Sequence, residues 1–329
     1  MTMTLILPSL VLLAGLALLV WSSDIFIDGA AATAVHLNIS PLIIGVVVLG
    51  FGTSAPEILV SILASFDNSP GLAVGNVIGS NIANIGLVLG ITAIISPIVV
   101  KSSLLKREFP ILLAVSVLGL LLLLDHQLGR LDGIILITML IIVMAWMIKA
   151  NKTIDQHDPL VEDTIDEIND LPKLSLKKGL VFLAIGLIIL IGSAKLMVWG
   201  AVEIAQYFAV PDLIIGLTIV AIGTSLPELA AAISAAKKDE SDLMIGNILG
   251  SNLFNLLAVM AMPALIDPSP VDNSTLMIDY PVMLGMTLAM LVVALPRKGN
   301  AIITRGEGTL LILSYIGYLL LLYYRMVHP

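Results

Sequence analysis

The sequence predicts an all-α polytopic membrane protein: ten transmembrane helices in two inverted five-helix repeats, with helices broken at the midplane. Composition, the length of the apolar runs and an internal repeat carry this prediction. Of 329 residues, 58% are hydrophobic and only 12% charged, with a mean hydropathy of +1.07. A soluble domain carries about 25% charged residues to keep its surface wet. Cysteine is absent, which excludes disulfides, thiolate metal sites and cysteine nucleophiles. The histidines His36, His126, His157 and His328 are scattered, so no histidine-based centre is expected. The net charge of −8 lies mostly outside the apolar segments and by itself says little about a partner, but the lack of a basic stripe argues against nucleic acid.

Ten continuous apolar runs approach or exceed the roughly 20 residues a helix needs to cross a bilayer. They fall at 5–31, 41–66, 72–97, 104–124, 132–150, 179–205, 212–237, 243–266, 276–295 and 308–326. Continuity without polar alternation makes them helices rather than barrel strands. The first run lacks a basic flank and is too long for a signal peptide, so it counts as a span. The fifth ends before the acidic stretch from Asp155 to Asp170, and the sixth begins after Lys177 and Lys178. This divides the chain into a first repeat (1–150), a linker (151–178) and a second repeat (179–329).

Lysine and arginine set the orientation, because they accumulate on the cytoplasmic side. With the N-terminus outside, the inner connections hold Lys101, Lys106, Arg107, Lys149, Lys152, Lys173, Lys177, Lys178, Lys237, Lys238, Arg297, Lys298 and Arg305. The outer side holds only Arg130 and Arg325. Both termini are therefore expected outside, and the linker 151–178 in the cytoplasm.

A constant separation of 171 residues aligns GTSAPE, at Gly52–Glu57, with GTSLPE, at Gly223–Glu228. The same separation aligns GNVIGSNIAN from Gly75 with GNILGSNLFN from Gly246, giving nineteen identities without a gap between positions 42 and 88. Five spans separate equivalent residues, so the halves cross the membrane in opposite senses. Such inverted repeats place a transport site near the midplane.

A carboxylate inside a span costs several kcal/mol unless it is paired or faces a polar cavity. Glu57 and Glu228 are in that position. Pro56 and Pro227 cannot donate to the carbonyl four residues back, so Gly50–Glu57 and Ala221–Glu228 should be broken or kinked and expose main-chain oxygens around Thr53 and Thr224. Thr53, Thr224, Ser54 and Ser225 add hydroxyls. Asn76, Ser80 and Asn84 recur every four residues, as do Asn247, Ser251 and Asn255, each set forming one helical stripe. Carboxylate, carbonyl, hydroxyl and amide oxygens without nitrogen or sulfur ligands suit a hard cation such as calcium or sodium. Two glutamates balance one calcium ion.

GTSAPE and GTSLPE, each followed by GNxxGSNxxN, resemble the two alpha-repeats of the calcium/cation antiporter superfamily, specifically prokaryotic-type sodium/calcium exchangers. The resemblance implies that the chain exchanges cytosolic calcium for external sodium by alternating access, in the plasma (inner) membrane of a prokaryote. It implies that Glu57 and Glu228 bind calcium with the carbonyls of Thr53 and Thr224. Sodium would use the same glutamates with Ser54, Ser225, Ser80, Ser251 and the carbonyls of Gly50 and Ala221. Asn84 and Asn255 fall at the family's middle position, where many prokaryotic and potassium-dependent members carry an aspartate in place of Asn255. Exchange independent of potassium is therefore expected. The ions and the lipid bilayer are the partners implied. No cofactor, obligate protein partner or enzymatic activity is expected.

A proton/calcium antiporter is the alternative, because a membrane glutamate can carry protons. The hydroxyl-rich GTS blocks argue against it, and a midplane site between inverted repeats disfavours a channel. The acidic residues of 151–172 lack EF-hand spacing and read as a solvated linker. Asp24 and Lys195 are expected at different depths rather than paired, and Trp21, Trp199, Tyr315 and Tyr318 read as interfacial or packing aromatics.

The thirteen-to-two charge bias makes orientation testable. A tag after Pro329 is expected to be reachable from outside, and a reporter inserted in 151–172 only from the cytosol. The opposite accessibilities would overturn the orientation.

Overall fold

The computed structural model describes residues 2–36, 53–100, 102–152, 174–208, 210–237, 241–296 and 301–328. The chain is mostly helical. Eight helical stretches among the described residues are long and apolar enough to cross a membrane, and Ala55–Phe66 and Glu108–Leu123 are shorter apolar helices. Each of the ten expected runs meets a helix or a series of helices. Residues 41–52 of the second run, and the linker from 153 to 173, lie outside the described residues.

The two longest helices are α1 (Thr2–His36, 35 residues) and, later in the chain, α7 (Leu176–Phe208, 33 residues). At 1.5 Å per residue each is about 50 Å long, well beyond the ~30 Å hydrocarbon core, so each must tilt or project. They pack antiparallel, backbone against backbone. A Cβ on Gly15 would stand 2.9 Å from the Met197 nitrogen, and one on Gly186 would stand 2.7 Å from the Phe26 nitrogen. Gly29 meets Leu183 in the same way, and Gly200 meets Leu12. Without a hydrophobic drive between helices in lipid, such close approach supplies the attraction. The resulting levels separate Asp24 from Lys195, as expected, and both side chains are exposed.

Between them lie α2 (Ala55–Phe66), α3 (Pro70–Ala83), a π-helical turn (Asn84–Leu89), α4 (Gly90–Ile95), α5 (Ser102–Leu123) and α6 (Arg130–Lys152). The second half continues with α8 (Asp212–Ile215), a π-turn (Gly216–Val220), α9 (Ala221–Thr224), α10 (Leu226–Lys237) and α11 (Ser241–Phe254). A π-turn (Asn255–Val259), α12 (Ala261–Ile266), a π-turn (Thr275–Asp279), α13 (Tyr280–Ala294) and α14 (Arg305–Val327) complete it. The buried apolar residues form two clusters. One joins α1 and α7 to α2, the start of α3, α8 and the π-turn after it; the larger one holds most of the remaining elements.

Two short strand pairs qualify the all-α expectation. β1 (Ile98–Val99) pairs antiparallel with β4 (Ile302–Ile303), and β2 (Gln127–Leu128) pairs with β3 (Ser269–Pro270). Two-residue strands leave no hydropathy signature, which is why the sequence pattern does not reveal them. The Val100 N–H extends the first clasp to the Ala301 carbonyl at 2.8 Å, and the Val271 N–H extends the second to that of His126 at 2.9 Å. The first clasp has one further tie, the Val99 N–H donating to Ser241 Oγ at 3.1 Å. At the matching places of the second clasp stand Pro270, without an N–H, and Pro70, without a hydroxyl.

α14 is anchored at both ends. Thr304 and Glu307 form a capping box at its start. Near its end, Arg325 Nη1 reaches Asp279 Oδ1 at 2.7 Å, and Tyr318 Oη donates to the same oxygen at 3.0 Å. Asp279 is fully buried. Arg325, counted by sequence as an outer-face charge, is thus engaged with the interior. Tyr315 and Tyr318 are buried packing residues, whereas Trp21 and Trp199 are exposed.

Removing one partner of a buried ion pair strands the other charge, which costs about 3–5 kcal/mol. Arg325→Met is therefore expected to lower the unfolding midpoint of the detergent-solubilised protein markedly. Combining it with Asp279→Leu should recover most of the loss. Equal stability of Arg325→Met and the native protein would show that the pair does not anchor α14.

Candidate functional site

The two glutamates occupy equivalent places in the backbone. α2 begins after Ser54 (φ −86°, ψ 3°), and α10 begins after Ser225 (φ −81°, ψ 3°). Pro56 and Pro227 are second in their helices, where a missing N–H leaves no intrahelical bond unmade. The break at Ser225 is narrow. Its N–H bonds the Ala221 carbonyl at 3.1 Å, and its own carbonyl accepts from the Leu229 N–H at 3.1 Å. The Ile58 N–H bonds the Ser54 carbonyl at 3.1 Å in the same way. Since the proline tolerates this first-turn position, the helix of the second half changes course at one residue and opens no loop; in the first half the residues before Thr53 lie outside those described. The Ala221 carbonyl also accepts from Thr224 Oγ1 at 3.4 Å, while Gly50 lies outside the described residues.

α3 and α11 carry the polar stripes past these breaks, and both pass into a π-turn at the last asparagine of the stripe, Asn84 and Asn255. The Met260 N–H reaches back five residues to the Asn255 carbonyl at 3.0 Å. Such turns inside helices are frequent at functional sites. The turn at Asn84 packs against α10, which bears Glu228, and the turn at Asn255 packs against α2, which bears Glu57.

Cross-links between the halves come in matched pairs. Thr53 Oγ1 lies 3.4 Å from Ser251 Oγ, and Thr224 Oγ1 lies 3.3 Å from Ser80 Oγ. Within each half a second matched pair braces the backbone: the Asn76 amide donates to the Glu57 carbonyl at 3.1 Å, and that of Asn247 donates to the Glu228 carbonyl at 3.5 Å. Thr224 faces the Glu57 carboxylate, while Thr53 and Ser251 face that of Glu228. Each threonine thus serves the glutamate of the other half.

Thr53, Ser54, Glu57, Ser80, Asn84, Thr224, Ser225, Glu228, Ser251 and Asn255 are all buried. Most of these side chains end in an unspent oxygen. Both oxygens of Glu57 and of Glu228, the hydroxyls of Ser54 and Ser225, and Oδ1 of Asn84 and Asn255 make no hydrogen bond of ordinary geometry among the described residues. The two carboxylates are near enough to repel each other. Buried polar groups are almost always satisfied, so this collection fits an oxygen-liganded cation. No group of three or more His, Cys, Asp or Glu suited to a metal occurs among the described residues. The donor set is therefore two carboxylates diluted by neutral oxygens.

The ligand set read from sequence leaves out residues that organise the site. Asn76 spends its whole amide. Beyond the Glu57 carbonyl it donates to Ser61 Oγ at 3.0 Å, and its oxygen accepts from Thr224 at 3.1 Å and Ser80 at 3.4 Å. It ties α2, α3 and α9 together and has nothing left for an ion. Ser61 has alanine at its equivalent, Ala232, so the repeat could not flag it. Asn252 accepts from Asn84 Nδ2 at 3.1 Å. Its identity with Asn81 in the repeated block was the available signal.

The family model of the sodium/calcium exchanger protein matches residues 7–149 and 178–324. A protein of Alkalimonas amylolytica, provisionally named antiporter CaxA, is 44% identical over 94% of this chain and 97% of its own length. The sodium/calcium exchanger MaX1 of Methanosarcina acetivorans is 30% identical over 96% and 98%. Among solved structures, the sodium-calcium exchanger NCX_Mj soaked with sodium and strontium superimposes with a TM-score of 0.66 at 36% identity, over 95% of this chain and 97% of that one. The chain is a multi-pass membrane protein and belongs to the sodium/calcium exchanger family.

Proposed function

We propose that the protein exchanges calcium for sodium by alternating access, with Glu57 and Glu228 as the shared charged ligands. The observation that carries this is the pair of buried carboxylates, whose four oxygens find no partner among the described residues. A charge of −2 at that depth is costly alone and is neutralised by one calcium ion or by sodium ions. Ser54, Ser225, Asn84 and Asn255 supply neutral oxygens. Thr53, Thr224, Ser80 and Ser251, joined in reciprocal pairs, take part through hydroxyl or carbonyl, together with the carbonyls of Gly50 and Ala221. The ions are cargo, and the protein needs no cofactor.

In this reading, 1–150 and 179–329 are five-helix repeats of opposite sense, joined by a cytoplasmic linker over 151–178. The paired contacts support it. β3 follows β1 by 171 residues, as Gly186 follows Gly15 and Gly200 follows Gly29, while β4 follows β2 by 175. The membrane is the prokaryotic plasma membrane, in keeping with a relative named inner membrane protein YrbG of Escherichia coli, 39% identical over 97% of this chain. Both termini lie outside, and calcium leaves the cell against entering sodium.

Glu57→Gln and Glu228→Gln are each expected to abolish sodium-driven calcium uptake in proteoliposomes while the protein still inserts. Each leaves −1 against a divalent ion in a low-dielectric site and loses several kcal/mol of attraction. Flux near the native level in either variant would refute the two-glutamate site. Uptake driven by a pH gradient in the absence of sodium would instead identify a proton/calcium antiporter.

Asn255 makes the middle of the site neutral on both sides, so calcium alone brings the charge to zero. A potassium ion would add +1 away from water. Calcium uptake into sodium-loaded proteoliposomes should therefore run equally in choline and in potassium medium at clamped voltage. A strict potassium requirement would contradict this, and Asn255→Asp is the change expected to create potassium sensitivity.

A further inference from the structure

The near-twofold frame of the site is broken at its middle amides. On one side, Asn84 Nδ2 donates to Asn252 Oδ1 at 3.1 Å, across the two halves, and both residues are buried. The equivalent bond would join Asn255 to Asn81. That bond is absent among the described residues: Asn81 Nδ2 donates to the Val77 carbonyl of its own helix at 3.1 Å, while Asn81 Oδ1, its equivalent acceptor, and both amide atoms of Asn255 have no partner there. An asparagine amide offers donors on one side and an acceptor on the other. Once its nitrogen is committed to Asn252, the unspent atom of Asn84 is the carbonyl oxygen.

We infer that Asn252 is a positioning residue, which takes the Asn84 N–H and so holds the Asn84 oxygen available to the cation. The inference rests on the cation site proposed above. Without the Asn252 acceptor, the Asn84 amide turns freely and presents N–H dipoles, which repel calcium, for much of the time. Asn255 has no such holder, so the two middle ligands differ although their sequences match. Asn252 itself never touches the ion.

Equilibrium binding of radiolabelled calcium to the purified full-length protein tests this. Asn252→Leu and Asn252→Ala, which fill and vacate the position, are both expected to weaken calcium binding about tenfold, or 1.4 kcal/mol. Asn252→Asp retains an acceptor oxygen and should restore affinity. The decisive comparison is made in an Asn84→Asp background. A carboxylate shows oxygen whichever way it turns, so there Asn252→Leu should change affinity by less than about twofold. Equal losses in both backgrounds would mean that Asn252 merely packs, and unchanged affinity in both would remove it from the site; either result overturns the inference. Calcium binding that follows this pattern, in a protein showing no sodium-driven uptake, would refute the exchange reading and uphold the role of Asn252. A native protein that binds no calcium would refute both.

Discussion

Two carboxylates buried at the core of an apolar bundle are the constraint on which the rest of the structure depends. Glu57 and Glu228 repel each other and find no hydrogen bond of ordinary geometry among the described residues, so the groups that brace their backbone must do so without taking a carboxylate oxygen. Asn76 shows how this is done. Its amide absorbs the Glu57 carbonyl, Ser61, Ser80 and Thr224, which keeps the backbone of the site content without consuming a carboxylate oxygen. What remains unspent is a set of oxygens with low total charge, suited to ions that bind and leave.

Holding such a set in place requires a rigid surround, and small residues provide it. Gly75 and Gly216 face each other so closely that a Cβ on either would strike the backbone of the opposite helix. That contact brings α3 and the stretch leading into α9 together just beside the stripe of Asn76 and Ser80. In lipid, packing of this kind substitutes for the hydrophobic drive that water would supply. The same economy joins α1 to α7.

Much of this was legible in the sequence. The apolar runs located the helices because hydrocarbon demands continuous hydrophobicity, and the 171-residue identity located the breaks and stripes because polar residues there are too costly to recur by accident. What escaped had no such imprint. The breaks or kinks were expected from the prolines, but their narrowness was not: in the second half only one residue, Ser225, leaves helical geometry. The π-turns at Asn84 and Asn255 and the two-residue clasps change no hydropathy. The partnership of Asp279 with Arg325 and Tyr318 joins residues from different spans, and only coordinates reveal it. The asymmetry between Asn84 and Asn255 was invisible for the opposite reason: identical letters made the halves look equivalent.

The clasps carry a second inequality. The β1–β4 pair is tied to the start of α11 by the Val99–Ser241 hydrogen bond, and prolines at 270 and 70 deny that bond to the β2–β3 pair. A hydrogen bond is worth about 0.5–1.5 kcal/mol net, and an exposed one belongs at the low end. Even that end corresponds to a factor of two or so in an equilibrium constant. The two clasps are therefore held with unequal strength, although the sequence segments that form them lie in matching places of the repeat.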